Sequence, residues 1–83
     1  MTRVLITGCS SGLGRVAALS LAAAGYRVTA SVRRGEDAES LAAEAGGKLT
    51  PLIMDVASAE SVAAGIEALL VEGGPPDVLV NNA

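Results

Sequence analysis

Half of the 83 residues are apolar and a single tyrosine is the whole aromatic content, so any core must be built from Leu, Val, Ile and Ala. The net charge of −3, without a basic stripe, argues against nucleic acid as a partner. One cysteine cannot make an internal disulfide, no stretch approaches the ~20 apolar residues of a membrane span, and the N-terminal apolar run is too short for a secretion signal. The composition therefore predicts a soluble, cytoplasmic protein with no membrane partner.

Val4-Leu5-Ile6 is an aliphatic run suited to a buried strand, predicted over Arg3 to Thr7. The glycine-rich stretch Thr7-Gly8-Cys9-Ser10-Ser11-Gly12-Leu13-Gly14 follows. A helix is predicted from Gly12 or Leu13 to Ala24, with Val16, Ala17, Leu21 and Ala24 at helical spacing and Gly25 as a left-handed cap. Arg27 to Val32 is a second strand with Val28, Ala30 and Val32 alternating, and Arg33-Arg34-Gly35 a turn. Glu36 to Ala45 is a second helix, acidic in its first turn and closed by Gly46-Gly47.

Thr50 to Met54 is the third strand and Asp55 to Ala57 a loop. Ser58 is the predicted N-cap of a third helix reaching about Glu72, with Val62, Ile66, Leu69 and Leu70 on one face. Gly73-Gly74-Pro75-Pro76 stops it, and Asp77 to Val80 is a fourth strand before Asn81-Asn82-Ala83. Strand and helix alternate with short connections, which predicts an α/β fold with a parallel sheet. Right-handed crossovers give strand order 3-2-1-4, the N-terminal part of a doubly wound (Rossmann) sheet. Residues 1–83 are expected to form one incomplete domain, truncated after the fourth strand, whose open edge exposes Val78, Leu79 and Val80.

Strand, glycine turn, helix is an arrangement that aims backbone N–H groups and the positive end of a helix dipole at a phosphate. Two registers of the glycines compete. Gly12-Leu13-Gly14-Arg15-Val16-Ala17 fits the general dinucleotide fingerprint, yet its first glycine lies well past the strand exit. In the better register Gly8 makes the exit turn, Gly12 admits the pyrophosphate, and Gly14 lets the helix pack on the strand, while Ser10 and Ser11 offer hydroxyls and amides. No lysine follows Gly14, so a nucleoside-triphosphatase loop is excluded.

An NAD site places a carboxylate about 20 residues past the glycines to accept from the ribose 2′-hydroxyl. Here the second strand ends in Val32-Arg33-Arg34, with no carboxylate at that point. Arg33 can pair with a 2′-phosphate through charge-assisted bonds. The alternative is a pair of solvated turn arginines, one of them neutralised by nearby Glu36 or Asp37. NADP(H) is therefore expected over NAD(H).

The pattern resembles the classical short-chain dehydrogenase/reductase family along the whole chain. Besides the glycine loop, Asp55-Val56 follows the third strand and Asn81-Asn82-Ala83 the fourth, the family's landmarks in the family's order. The resemblance implies that the Asp55 side chain meets the adenine amino group, that Val56 offers a backbone contact, and that Asn82 and Ala83 lie against the cofactor. Asp55 also reads, more plainly, as an Asp bonding loop amides before a helix. The cofactor-binding set is thus Gly8, Ser10, Ser11, Gly12, Leu13, Gly14, Arg33, Asp55, Val56, Asn82 and Ala83.

Family catalysis resembles acid–base chemistry by a tyrosine hydroxyl whose pKa is lowered by a lysine four residues later. Tyr26 is followed at that spacing by Ala30, so no catalytic residue is assigned and Tyr26 reads as structural. Cys9 has no histidine to activate it, and no metal-ligand cluster occurs. The resemblance implies a homo-oligomeric NADP(H)-dependent oxidoreductase acting on a small alcohol or carbonyl. This chain is expected to be its cofactor-binding half, inactive alone and a weak binder of NADPH. The alternative is a non-enzymatic dinucleotide sensor of the same fold.

Overall fold

Four strands and three helices alternate along the chain, and the computed structural model describes residues 2–82. They are β1 (Arg3–Ile6), α1 (Gly12–Ala23), β2 (Arg27–Val32), α2 (Gly35–Ala45), β3 (Leu49–Ile53), α3 (Ala59–Gly73) and β4 (Val78–Val80). The sheet runs β3-β2-β1-β4 with every pairing parallel, the predicted doubly wound arrangement. Element ends move by a residue: β3 starts at Leu49, opposite Val28, and Met54 lies beyond it, still donating to Val32 O at 2.8 Å.

Which faces are buried differs from expectation. In β2 the predicted alternation gives way to burial throughout Val28–Val32, Thr29 and Ser31 included, as in an inner strand of a parallel sheet covered on both sides. In α1 the buried stripe is Gly14, Ala18 and Ala22, while Val16 is 60% exposed and Ala24 lies on the surface. In α3 the buried residues are Gly65 and Leu69; Ile66 and Leu70 of the predicted face are exposed. In α1 small residues one turn apart let the helix settle onto the sheet and turn Val16 outward, whereas of the buried pair in α3 only Gly65 is small and Leu69, one turn on, is the large aliphatic that goes in.

The core joins Val4, Ile6, Val28, Ala30 and Val32 of the sheet to Ala18, Ala22, Leu41 and Ala45 of the two helices over one face. Arg15 ties those helices together: its Nε and Nη2 donate to Glu44 Oε1 at 3.0 and 2.7 Å, and Nη2 also donates to Ser40 Oγ. At the N-terminal end of the sheet the Arg3 and Asp77 main chains are clasped. Arg3 N donates to Asp77 Oδ2 at 2.8 Å, Asp77 N donates to Arg3 O at 2.9 Å, and Arg3 Nη1 donates to Gly74 O at 2.7 Å. The guanidinium thereby meets the negative end of the α3 dipole. Beyond this clasp the edge of β4 leaves Val78 and Leu79 exposed and Val80 half-buried.

Candidate functional site

The opposite, C-terminal end of the sheet carries the site. Thr7 continues β1 by donating its N–H to Val80 O at 3.0 Å. Its buried hydroxyl accepts from Asn82 N at 3.0 Å and donates to Asn81 Oδ1 at 3.3 Å. The chain then turns at Gly8, where φ is +69°, a region that disfavours any side chain. Cys9 drops into the core: its N–H donates to Ser31 O at 2.8 Å and its thiol to Ile6 O at 3.3 Å. Burial pushes that thiol from 9.0 up to about 11, against a smaller opposing effect of the Ser31 backbone. Cys9 is therefore an anchor for the turn and no nucleophile at neutral pH.

Gly14 meets more than the predicted strand. A methyl group there would run into Gly8 O and the Asn82 amide, and Asn82 Nδ2 in turn donates to Gly8 O at 3.2 Å. The exit turn, the first turn of α1 and the end of β4 are thus locked together at one point. Asn82 braces the sheet here through its side-chain amide and its backbone N–H, and Thr7, to which the sequence assigned no role, accepts the latter on its hydroxyl.

The first turn of α1 is left open. Ser11 is its N-cap in extended conformation, but its side chain makes no capping bond, and no acidic residue occupies the first turn. An N-terminus in that state has unsatisfied N–H groups and a positive dipole end.

In front of this turn lies a cleft of about 450 Å³, lined by Gly8, Ser10, Ser11, Ser31, Val32, Arg33, Met54, Asp55, Val56, Ala57 and Asn82. Its walls are the C-terminal ends of all four strands, the place where doubly wound sheets bind ligands. Of the predicted residues it gathers Gly8, Ser10, Ser11, Arg33, Asp55, Val56 and Asn82. Gly12, Leu13 and Gly14 do not line it: Gly14 is buried behind Gly8, and the Leu13 side chain points to solvent at 80% exposure. Ala83 lies outside the described residues. Ser31 and Met54 line the cleft without having been anticipated; their place at the ends of β2 and β3 was the available signal.

Charge is distributed unevenly around the cleft. Arg34 pairs with Glu36 at 3.5 Å, whereas Arg33 makes no ion pair among the described residues. Asp55 is partly committed, its Oδ1 accepting from Ala57 N at 3.0 Å and its own N–H donating to Ser61 Oγ at 2.8 Å. That is the loop-bonding role weighed above, performed by one oxygen.

The set suits a phosphorylated nucleotide. An uncapped helix N-terminus favours an anion, Arg33 supplies a cation with no ion pair among the described residues, and the volume falls in the range of about 300–1,000 Å³ usual for ligand pockets. No group of three or more metal-ligating side chains occurs among the described residues, and no helix there is long and apolar enough to cross a membrane.

A parallel sheet in the order β3-β2-β1-β4 with alternating helices and a cleft at its strand ends defines a Rossmann-like α/β domain. Comparison with known proteins narrows this. The family model described as short chain dehydrogenase matches residues 2–83, and the chain belongs to that family of oxidoreductases, which use nicotinamide cofactors.

It is 43% identical to D-erythrulose reductase of Gallus gallus over 98% of its own length, and 44% identical to acetoacetyl-CoA reductase of Shinella zoogloeoides over all of it. It is 45% identical over 96% of its length to a Dichelobacter nodosus protein named as an NADP-dependent dehydrogenase, of which it covers 76%. A short chain dehydrogenase/reductase family oxidoreductase from Aeromonas hydrophila superposes with a TM-score of 0.87 at 26% identity, over 98% of this chain and 39% of that one. The chain spans about a third of the two named reductases, 31% and 34% of their lengths.

Proposed function

We propose that this chain is the cofactor-binding portion of an NADP(H)-dependent oxidoreductase that interconverts a small alcohol and a carbonyl compound. Arg33 carries the NADP(H) reading: it faces the cleft at the end of β2 with no ion pair among the described residues, while its neighbour Arg34 is held by Glu36. A guanidinium there gains much more from a 2′-phosphate, through charge-assisted bidentate bonds, than from a 2′-hydroxyl. The open N-terminus of α1, with the amides of Ser10, Ser11 and Gly12, receives the pyrophosphate. Val56 and the second carboxylate oxygen of Asp55 face the adenine, and Asn82 the ribose beside it. Gly12, Leu13 and Gly14 act through their backbone in shaping that turn. When bound, the nicotinamide gives or takes a hydride.

The relatives support the substrate class, since they include reductases of a sugar and of an acyl-CoA. Their greater length supports the view that this chain is one incomplete domain, with the proton-transferring and substrate-contacting residues elsewhere in the complete, homo-oligomeric, cytoplasmic enzyme. By itself the chain then holds cofactor without turnover.

The test is a titration of the chain with NADPH and with NADH. NADPH is expected to bind more tightly, and Arg33→Ala to weaken NADPH roughly 10- to 100-fold, the worth of a charge-assisted hydrogen bond of ~1.5–3 kcal/mol, without changing NADH. Equal affinity for the two cofactors, or an Arg33→Ala variant that keeps its preference, contradicts the NADP(H) reading.

A further inference from the structure

One residue of the cleft lining, Met54, packs against α3, away from the glycine turn. Met54 follows β3, is 4% exposed, and lines the cleft between Val32 and Asp55. Behind it passes α3, and at the crossing stands Gly65, itself buried. A methyl group on Gly65 would come within 2.8 Å of Met54 Sδ, 3.0 Å of Cγ and 3.3 Å of Cβ. Those separations are shorter than van der Waals contact, so the Met54 side chain occupies the space a β-carbon would need. Its backbone has little room to yield, because Met54 N is bonded to Val32 O at 2.8 Å. The thioether is the flexible part, and Met54 is one of the residues that line the cleft.

We propose that Gly65 is a positioning residue of the nucleotide cleft. Its bare Cα lets the Met54 thioether fold back against α3, and this keeps the cleft deep enough for the flat base of the nucleotide. The inference rests on reading the cleft as the nucleotide site. The choice of glycine is otherwise costly, since this is a helix interior where alanine is favoured. A helix that accepts an interior glycine where it lies against Met54 is trading local preference for space.

The test uses the 83-residue chain, carrying 13C-methyl methionine, as wild type, Gly65→Ala, Met54→Ala and the double variant. In Gly65→Ala the Met54 methyl signal is expected to become more accessible to a neutral soluble gadolinium chelate than in wild type. Affinity for adenosine 2′,5′-bisphosphate is expected to fall about tenfold, the scale on which a pocket senses a lost or added methylene. In the Met54→Ala background the Gly65 substitution is expected to leave affinity within about twofold, the normal error of additivity.

Unchanged methyl accessibility, as when α3 moves outward instead, overturns the inference. So does an affinity loss that persists in the double variant. Failure of the wild type to bind the bisphosphate contradicts the nucleotide reading itself, and the methyl signal then decides the Gly65–Met54 packing alone.

Discussion

Two strand-to-helix turns face the same cleft and are built on opposite plans. The β3–α3 turn spends its polar side chains on its own backbone: Asp55 Oδ1 accepts from Ala57 N, Ser61 Oγ from Asp55 N, and Ser58 Oγ from Ser61 N at 3.2 Å. Glu60 then sits in the first turn of α3, where it complements the dipole. The β1–α1 turn does none of this. It is fixed from behind, by the buried Cys9, by Asn82 and by the bare Cα of Gly14, and it leaves Ser10, Ser11 and the first amides of α1 uncommitted. A serine stands at the N-cap of both helices, so residue type does not separate them. What separates them is whether the turn can be held without using the groups at its mouth.

This contrast can be broken from its rear support first. Gly14→Ala drives a methyl group into Gly8 O and the Asn82 amide, and is expected to cost about 3 kcal/mol, the upper end for overpacking, measured by urea denaturation. Next in size is the titration of Cys9. Its thiol ionises at 9.0 unfolded and at about 11 folded, so the unfolded chain releases this proton first as pH rises. The contribution is intact below pH 9.0 and is lost towards pH 11, by roughly 1.4 kcal/mol per pH unit. Cys9→Ala is expected to flatten that slope in denaturation curves taken across this window.

Smaller effects should distinguish the two caps. Ser58→Ala is expected to cost about 1 kcal/mol of stability and to leave NADPH affinity unaltered. Ser11→Asp puts a carboxylate at the open end of α1; it is expected to stabilise the fold by about 0.5 kcal/mol in thermal denaturation and to weaken NADPH strongly in the same sample. A stabilised variant that binds NADPH as well as before would show that the α1 terminus is not the phosphate site.

Much of this layout is legible in the residues, for identifiable reasons. Glycine spacing, helix stops and strand composition are local signals, and they were enough for the element order and the parallel topology. The cleft was legible through the rule that strand ends carry the site, which placed Ser10, Ser11, Arg33 and Asp55 beside one another. Burial was less legible, because close approach of helix to sheet selects Gly14, Ala18 and Ala22 over the larger Val16. Side-chain pairing was legible only in part: proximity offers Glu36 or Asp37 to one of the two arginines without saying that Arg34 takes Glu36, and nothing local says that Gly65 makes room for Met54. The first depends on side-chain geometry within one turn, the second on how α3 packs back against the end of β3.

The central claim is that the β1–α1 turn and Arg33 hold the phosphates of NADP(H). It is tested most directly by following backbone amide resonances of the chain as NADPH is added. The expected result is concentrated change at Gly8, Ser10, Ser11, Gly12 and Arg33, with the amides of Ser58 to Ser61 nearly still. Change centred on the start of α3, or none at the start of α1, would contradict it.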